Sequence, residues 1–323
     1  MTRLARWIGR RVRHWWHGVY QRYLPTPSVA AGRARRDARA EFDTIARLRP
    51  ILAGASATYI KLVERSGAGG VSDDVLVEAA ESAGAAAQAL KRIARPALRN
   101  PNRQEYIEGV FAYADALVAA IQRMVVICRQ LWTARHKKDL ASELLLNGAK
   151  DQLMIGLLAQ ESAFQNASAD AIRPANPQYF LTRARAVLNT AMIHLLERAG
   201  TAGDPLAPPE LGLARRAVEE AEALLRKALV AAPGYYEWLS RHGGETPPAD
   251  PAPMRTALRA LRLGLEEAIA TERDIAEGTR TLIAALEGTS SLAMRLGHPP
   301  HAHATIASLV ARRLAAPSAV RTS

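Results

Sequence analysis

Residues 100–132, NPNRQEYIEGVFAYADALVAAIQRMVVICRQLW, contain the pattern that decides the fold. Asn100 followed by Pro101 predicts a helix start, because asparagine caps free backbone N–H groups and proline fits the first helical turn. Apolar side chains then recur at alternating spacings of four and three residues, which is typical of a helical seam packed against other helices. The seam consists of Ile107, Phe111, Ala114, Val118, Ile121, Val125, Cys128 and Trp132.

A second apolar row lies beside this seam and recurs every seven residues, at Val110, Leu117, Met124 and Leu131. Together the rows form a stripe that is wider than a two-stranded coiled coil needs, so we expect this helix to pack between two neighbours. Residues 254–286 predict another long helix of the same kind, in which Glu272 breaks the seam once. The apolar and small residues of that seam are Met254, Leu258, Leu261, Leu265, Ala268, Ile275, Thr279, Leu282 and Leu286.

The composition points to the same fold class. Hydrophobic residues make up 49% of the chain, but aromatic residues only 5%. The apolar share is dominated by alanine and leucine, which favour helices, whereas strands favour β-branched and aromatic residues. No stretch alternates apolar and polar positions as a strand would. The sequence therefore predicts an all-α fold of multi-helix bundles with long coiled-coil-like helices.

Prolines and glycines divide the chain into helical blocks. A kink or break is expected at Pro50, and Pro233 is expected to end a helix. Ser72 and Asn176 have the sequence context of helix caps. Residues 166–176 read as a polar linker between two bundles. The predicted segments are a basic arm over 1–28, a bundle over 29–166, a second bundle over 174–296 and a C-terminal tail over 297–323.

Positive charge is concentrated near the N-terminus. The chain has a net charge of +12, and its first 40 residues contain ten arginines, no lysine and a single acid, Asp37. The other 283 residues share 33 basic and 30 acidic side chains. The body is thus close to neutral, and the arm predicts an anionic partner.

The arm itself has the pattern of an amphipathic helix. Leu4, Ile8, Val12, Trp15, Val19 and Tyr23 share one helical face. Arg3, Arg6, Arg10, Arg13 and His17 share the opposite face, and Trp7, Trp16 and Tyr20 flank the apolar side. A helix lying in a membrane interface has this arrangement, with cations towards anionic head groups and amphipathic rings at the boundary.

These features predict a set of membrane-binding residues in the arm: Arg3, Leu4, Arg6, Trp7, Ile8, Arg10, Val12, Arg13, Trp15, Trp16 and Val19. Arg11 lies on the apolar side and would have to extend its charged group towards water. Three alternatives stay open. In the first, the apolar face packs onto the bundle. In the second, the arm binds nucleic acid, with arginines along the phosphates and aromatic rings on the bases. In the third, the arm is a mitochondrial presequence.

Other sequence features constrain compartment and topology. No stretch has the roughly 20 uncharged apolar residues that a membrane span needs, since Asp115 interrupts the most apolar one. The arm also lacks the continuous apolar core of a secretory signal. Cys128 is the only cysteine, so no intrachain disulfide can form. We therefore expect a cytoplasmic protein at the membrane periphery.

No motif predicts catalysis or a cofactor. His298, His301 and His303 have no acid nearby and indicate a solvated tail more than a metal site. The glycines over 67–70 lack the lysine and strand context of a phosphate loop. Asp115 is the one carboxylate in an apolar helix, and we expect it at the boundary of the core. No enzymatic activity, metal or cofactor is predicted.

The resulting hypothesis is a non-catalytic helical scaffold or adaptor that binds an anionic membrane surface through its arm. A nucleic-acid-associated protein that uses the same arm is the alternative. Because the long seams have coiled-coil spacing, we also expect either a homo-oligomer or a helical protein partner.

Overall fold

Seven helices account for nearly all of the residues that the computed structural model describes, which are 27–67, 71–172, 176–200, 211–242, 252–289, 308–310 and 312–313. None of these residues lies in a strand, so the all-α prediction is confirmed. The helices are α1 Pro27–Gly67, α2 Asp73–Arg92, α3 Pro101–His136, α4 Leu140–Ala171, α5 Pro177–Gly200, α6 Gly212–His242 and α7 Ala252–Leu286.

Consecutive helices pack side by side. Helices α1, α2 and α3 contact one another, α4 packs against both α3 and α5, and α5, α6 and α7 form a second mutually contacting group. Ion pairs mark the antiparallel pairings: Arg135 near the end of α3 binds Glu143 near the start of α4, and Arg280 of α7 binds Glu222 of α6. Helix α4 therefore bridges two three-helix groups.

Helix α3 lies at the centre of the first group. Both apolar rows predicted for it are buried, except that the side chain of Trp132 is exposed at the helix end. By length and composition α3 is also the one described helix that qualifies as a membrane span, but 61% of its most apolar window is buried inside the protein. Burial among its neighbours accounts for its hydrophobicity, and these neighbours belong to the same chain.

Helices α3 and α4 approach each other closely at Gly109. A Cβ atom built at Gly109 would lie 2.7 Å from Cβ and 3.1 Å from Cα of Phe164. Phe164 also packs against the rings of Tyr106 and Tyr113 of α3, so it has little room to move. The glycine thus sets the distance between the two helices.

We predict that Gly109→Ala lowers the free energy of unfolding by about 1–3 kcal/mol, since the added methyl group meets backbone as well as side-chain atoms. The matched control is Gly156→Ala on α4, where a Cβ meets nothing within 4 Å. That change removes a helix-destabilising glycine and is expected to raise stability by up to about 1 kcal/mol. Urea unfolding of both variants provides the measurement, and equal effects would contradict the packing explanation.

Two prolines lie inside helices and not at helix ends. Helix α1 continues through Pro50 and α6 continues through Pro233, so the predicted helix end at Pro233 is wrong. A proline removes one backbone hydrogen bond, and buried residues on both sides hold each helix in place. Leu48 and Ala55 flank the first site. Ala232 and Tyr236 flank the second.

The predicted linker is shorter than expected, because α4 extends to Ala171. Side chains from all seven helices belong to one continuous buried cluster. The division into two bundles at residues 166–176 stays a prediction.

The asparagine caps are confirmed and the serine cap is not. Oδ1 of Asn100 accepts hydrogen bonds from the backbone N–H groups of Asn102 and Arg103, and Oδ1 of Asn176 accepts one from Gln178. Ser72 occupies the cap position of α2, but its side chain makes no capping hydrogen bond.

Candidate functional site

Residues 1–26, which include every predicted membrane-binding residue of the arm, lie outside the described residues, and so do His298, His301 and His303. Asp115 is described and lies where it was expected, at the boundary of the core. Its side chain is 58% exposed and its carboxylate lies 3.3 Å from the guanidinium of Arg95. The buried acids are elsewhere.

A cluster of charged side chains lies in the core between α4, α5 and α7. Glu272, which interrupts the seam of α7, is fully buried, and its Oε1 accepts a hydrogen bond of 2.7 Å from Nε of Arg185 on α5. Glu161 on α4 provides a second buried carboxylate. The break in the apolar pattern is therefore an ion-pair site.

Arg313 completes this cluster from the C-terminal segment, by which we mean residues 308–310 and 312–313. Its guanidinium is fully buried and lies 3.1 Å from Oε1 of Glu161 and 3.5 Å from Oε2 of Glu272. Leu309 and Val310 are buried with it. Part of the predicted C-terminal tail is thus inserted between the helices.

Amide side chains position the carboxylate of Glu161. Nδ2 of Asn189 donates to Oε2 of Glu161 at 3.1 Å, and Nε2 of Gln165 donates to Oε1 at 3.3 Å. All three side chains are buried. These hydrogen bonds satisfy acceptor oxygens of Glu161 in a medium where an unpaired polar group is costly.

Charge is balanced within the cluster, which we call the buried tetrad: Glu161, Arg185, Glu272 and Arg313. Burial lowers the pKa of Arg185, and Glu272 partly offsets this effect. Burial also acts to lower the pKa of Arg313, but the two carboxylates beside it more than compensate, so that its pKa is raised. Both guanidinium groups stay charged at physiological pH, because arginine titrates far above it.

A second polar cluster lies between α1, α3 and α4. Lys150 and Asp151 of α4 are buried near Tyr59 of α1 and Cys128 of α3. Burial lowers the pKa of Lys150 and raises the pKa of the Cys128 thiol. A thiol with a raised pKa stays protonated and is a poor nucleophile, so Cys128 behaves as a core residue.

Tyrosine ionisation is expected to report on both polar clusters. Burial is the main cause that raises the pKa of each tyrosine well above its usual value of 10.0. A nearby carboxylate raises it further, Asp151 for Tyr59 and Glu161 for Tyr113. A group with a raised pKa in the folded state contributes stability that is present below its unfolded pKa and is lost at higher pH. We therefore expect stability to fall above about pH 10.

The measurement is an alkaline titration followed by tyrosinate absorbance. Tyr59 and Tyr113 should ionise only when the protein unfolds. The double variant Tyr59→Phe/Tyr113→Phe should therefore lack the part of the tyrosinate absorbance that appears with unfolding. Fast titration of all eight tyrosines in the folded chain would contradict the assignment.

A shallow cavity of about 350 Å³ opens where α2 leads into α3. Arg95, Gln104, Glu108 and Phe111 are among its lining residues. The guanidinium of Arg95 lies 4.7 Å from the centre of the Phe111 ring and also pairs with Asp115. The one arginine that lines this cavity is thus already paired within the protein. In the part of the chain that the structure describes, no group of three or more metal-ligating side chains occurs.

Comparisons with known protein families, with curated proteins and with solved structures found no match for this chain.

The buried tetrad was not predicted from the sequence. One signal pointed to it, the break in the α7 seam at Glu272. Arg185 and Arg313 carry no comparable signal, because an arginine in a helix is exposed far more often than it is buried.

Proposed function

We propose that this protein is a non-catalytic helical scaffold or adaptor, located in the cytoplasm and attached peripherally to an anionic membrane surface through its arm. The observation that carries the proposal is the amphipathic pattern of residues 1–24, in which an apolar face with Trp15 lies opposite a face of arginines. A basic face and an apolar face on one helix are what an interfacial membrane helix requires.

The magnitudes support binding of useful strength. Arg3, Arg6, Arg10 and Arg13 contribute about 1 kcal/mol each near an anionic surface. Burial of Leu4, Ile8, Val12 and Trp15 adds up to about 1.5–3 kcal/mol per side chain. Ordering the helix costs part of this sum. A dissociation constant in the micromolar range needs about 8 kcal/mol, which these contributions can provide.

The helical body supports a scaffold role. Helix α1 begins at Pro27, within the last two residues of the arm, and is anchored in the core by Leu48, Tyr59 and Leu62. An arm joined to such a helix would hold the whole body at the surface to which it binds. The charges of the tetrad neutralise one another inside the protein, so the net positive charge available to a partner comes mainly from the arm.

Nucleic-acid binding through the same arm is the second candidate. Arginines at helical spacing can follow a phosphate backbone, and Trp7 and Trp16 can stack on bases. Both functions predict that binding weakens with salt, so salt dependence alone does not separate them.

The test is co-sedimentation of the full chain with vesicles of anionic lipid, with vesicles of zwitterionic lipid, and separately with duplex DNA and RNA. We expect strong binding to anionic vesicles only. Binding to nucleic acid without binding to vesicles would favour the second candidate, and binding to neither would refute both.

A further inference from the structure

The surroundings of Arg313 have the features of a binding site. Three helices supply its walls: α4 contributes Glu161, α5 contributes Arg185, and α7 contributes Glu272 and Gly278. Without Arg313, two carboxylates would face a single guanidinium in a water-poor interior. That excess negative charge selects a cation, and its buried location favours a cation carried on an apolar segment.

Shape selects the segment as well as charge. A Cβ atom at Gly278 would lie 2.8 Å from Cδ2 of Leu309, so the absence of a side chain at Gly278 makes room for Leu309. Leu309 and Arg313 are both buried, and they are four residues apart, the spacing at which side chains share one face of a helix. The fit is to a peptide with leucine and arginine at this spacing.

Only an arginine side chain can contact the carboxylates of Glu161 and Glu272 at the same time. The guanidinium places Nη2 at 3.1 Å from Glu161 and Nε at 3.5 Å from Glu272, on two different helices. A planar group with several N–H donors spans these acceptors, whereas an ammonium is a point charge. Lysine in this position would leave one carboxylate without its partner.

The balance of forces makes the contact reversible. The described part of the segment buries Leu309, Val310 and Arg313. Nε and Nη2 of Arg313 are at ion-pair distance from Glu272 and Glu161, but no described residue accepts a well-aligned hydrogen bond from either atom or from Nη1. A buried ion pair with incomplete hydrogen bonding gains little over its desolvation cost. The segment begins after the end of α7 at Leu286, so its departure breaks no backbone hydrogen bond of that helix.

We propose that Glu161, Glu272 and Gly278 form an arginine-specific peptide-binding slot that the chain's own C-terminal segment occupies reversibly. The slot recognises a leucine and an arginine four residues apart in a helical peptide. It lies in the described body and does not depend on membrane binding by the arm.

The first test uses a labelled peptide of residues 305–316 and the full chain. Wild type should bind the peptide weakly, because its own segment fills the slot at a high effective concentration. The full-length variant Leu309→Ser/Arg313→Ser vacates the slot and should bind the peptide at least about tenfold more tightly. Fluorescence anisotropy provides the measurement.

Two peptide variants test the specificity. Arg313→Lys in the peptide should weaken binding to the vacated chain at least about tenfold, whereas Arg312→Lys should not, because Arg312 is exposed. Equal effects of the two changes, or no binding to a folded vacated chain, would overturn the proposal.

Hydrogen exchange of the wild-type chain keeps the test decisive if the vacated variant does not fold. Amides of residues 308–313 should exchange at least about 100-fold faster than those around Ile275 and Ile283 in α7, because the segment opens locally. Exchange of the segment only at the rate of the α7 amides would show that it is a permanent part of the core and would overturn the proposal.

Discussion

Replacing Arg185 with methionine is expected to lower the free energy of unfolding by about 3–5 kcal/mol, the cost of leaving a charge unpaired in a protein interior. The variant keeps Glu161, Glu272 and Arg313, so two buried carboxylates would share one guanidinium. Glu272→Leu should cost a similar amount for the opposite reason, since two guanidinium groups would then face Glu161 alone. Both values are a large part of the total stability of a typical domain.

The double variant Arg185→Met/Glu272→Leu is the critical control. It removes one charge of each sign and leaves Arg313 paired with Glu161, so most of the lost stability should return. Urea unfolding of the wild type, both single variants and the double variant forms a complete cycle. Single variants within about 1 kcal/mol of wild type, or costs that simply add, would show that the tetrad is not a coupled unit.

Replacing Trp15 with glutamate is expected to abolish binding to anionic vesicles, even at low salt. The change places a carboxylate at the centre of the apolar face, where it loses the burial of the indole and repels anionic head groups. A helix that only follows phosphates through Arg6 and Arg10 should tolerate this change far better. Co-sedimentation with vesicles, and separately with duplex DNA and RNA, measures both effects.

The matched comparison is Arg6→Ala/Arg10→Ala, which keeps the apolar face. For an interfacial helix these changes should weaken vesicle binding by about 25-fold, at a factor of about five per arginine near the surface. The Trp15→Glu variant should be at least as weak. If the arginine variant loses binding to nucleic acid while Trp15→Glu keeps it, the membrane proposal is wrong.

Much of the fold was predictable because its signals are local. The Asn100–Pro101 start and the apolar rows of α3 depend on residues within a few turns of one another, and the structure buries these rows as expected. The helix caps at Asn100 and Asn176 belong to the same class of signal.

The positions at which prediction failed depend on distant residues. A proline weakens a helix locally, but the buried neighbours of Pro233 come from packing that no local pattern reveals. Arg185 and Glu272 are 87 positions apart in sequence, so their hydrogen bond was visible only as an unexplained acid in the seam of α7. Arg313 gave no signal, since its burial depends on two acids from other helices.

The measurement that tests the functional proposal most directly is the depth of Trp15 in a bilayer. The chain has five tryptophans. A variant in which phenylalanine replaces Trp7, Trp16, Trp132 and Trp238 retains Trp15 as the only strong fluorophore. On vesicles of anionic lipid with brominated acyl chains, we expect its fluorescence to be quenched. Quenching should be strongest for bromine about 5–10 Å below the head groups, the depth of an interfacial helix. A chain that binds these vesicles with Trp15 unquenched, or that does not bind them at all, would contradict the proposal.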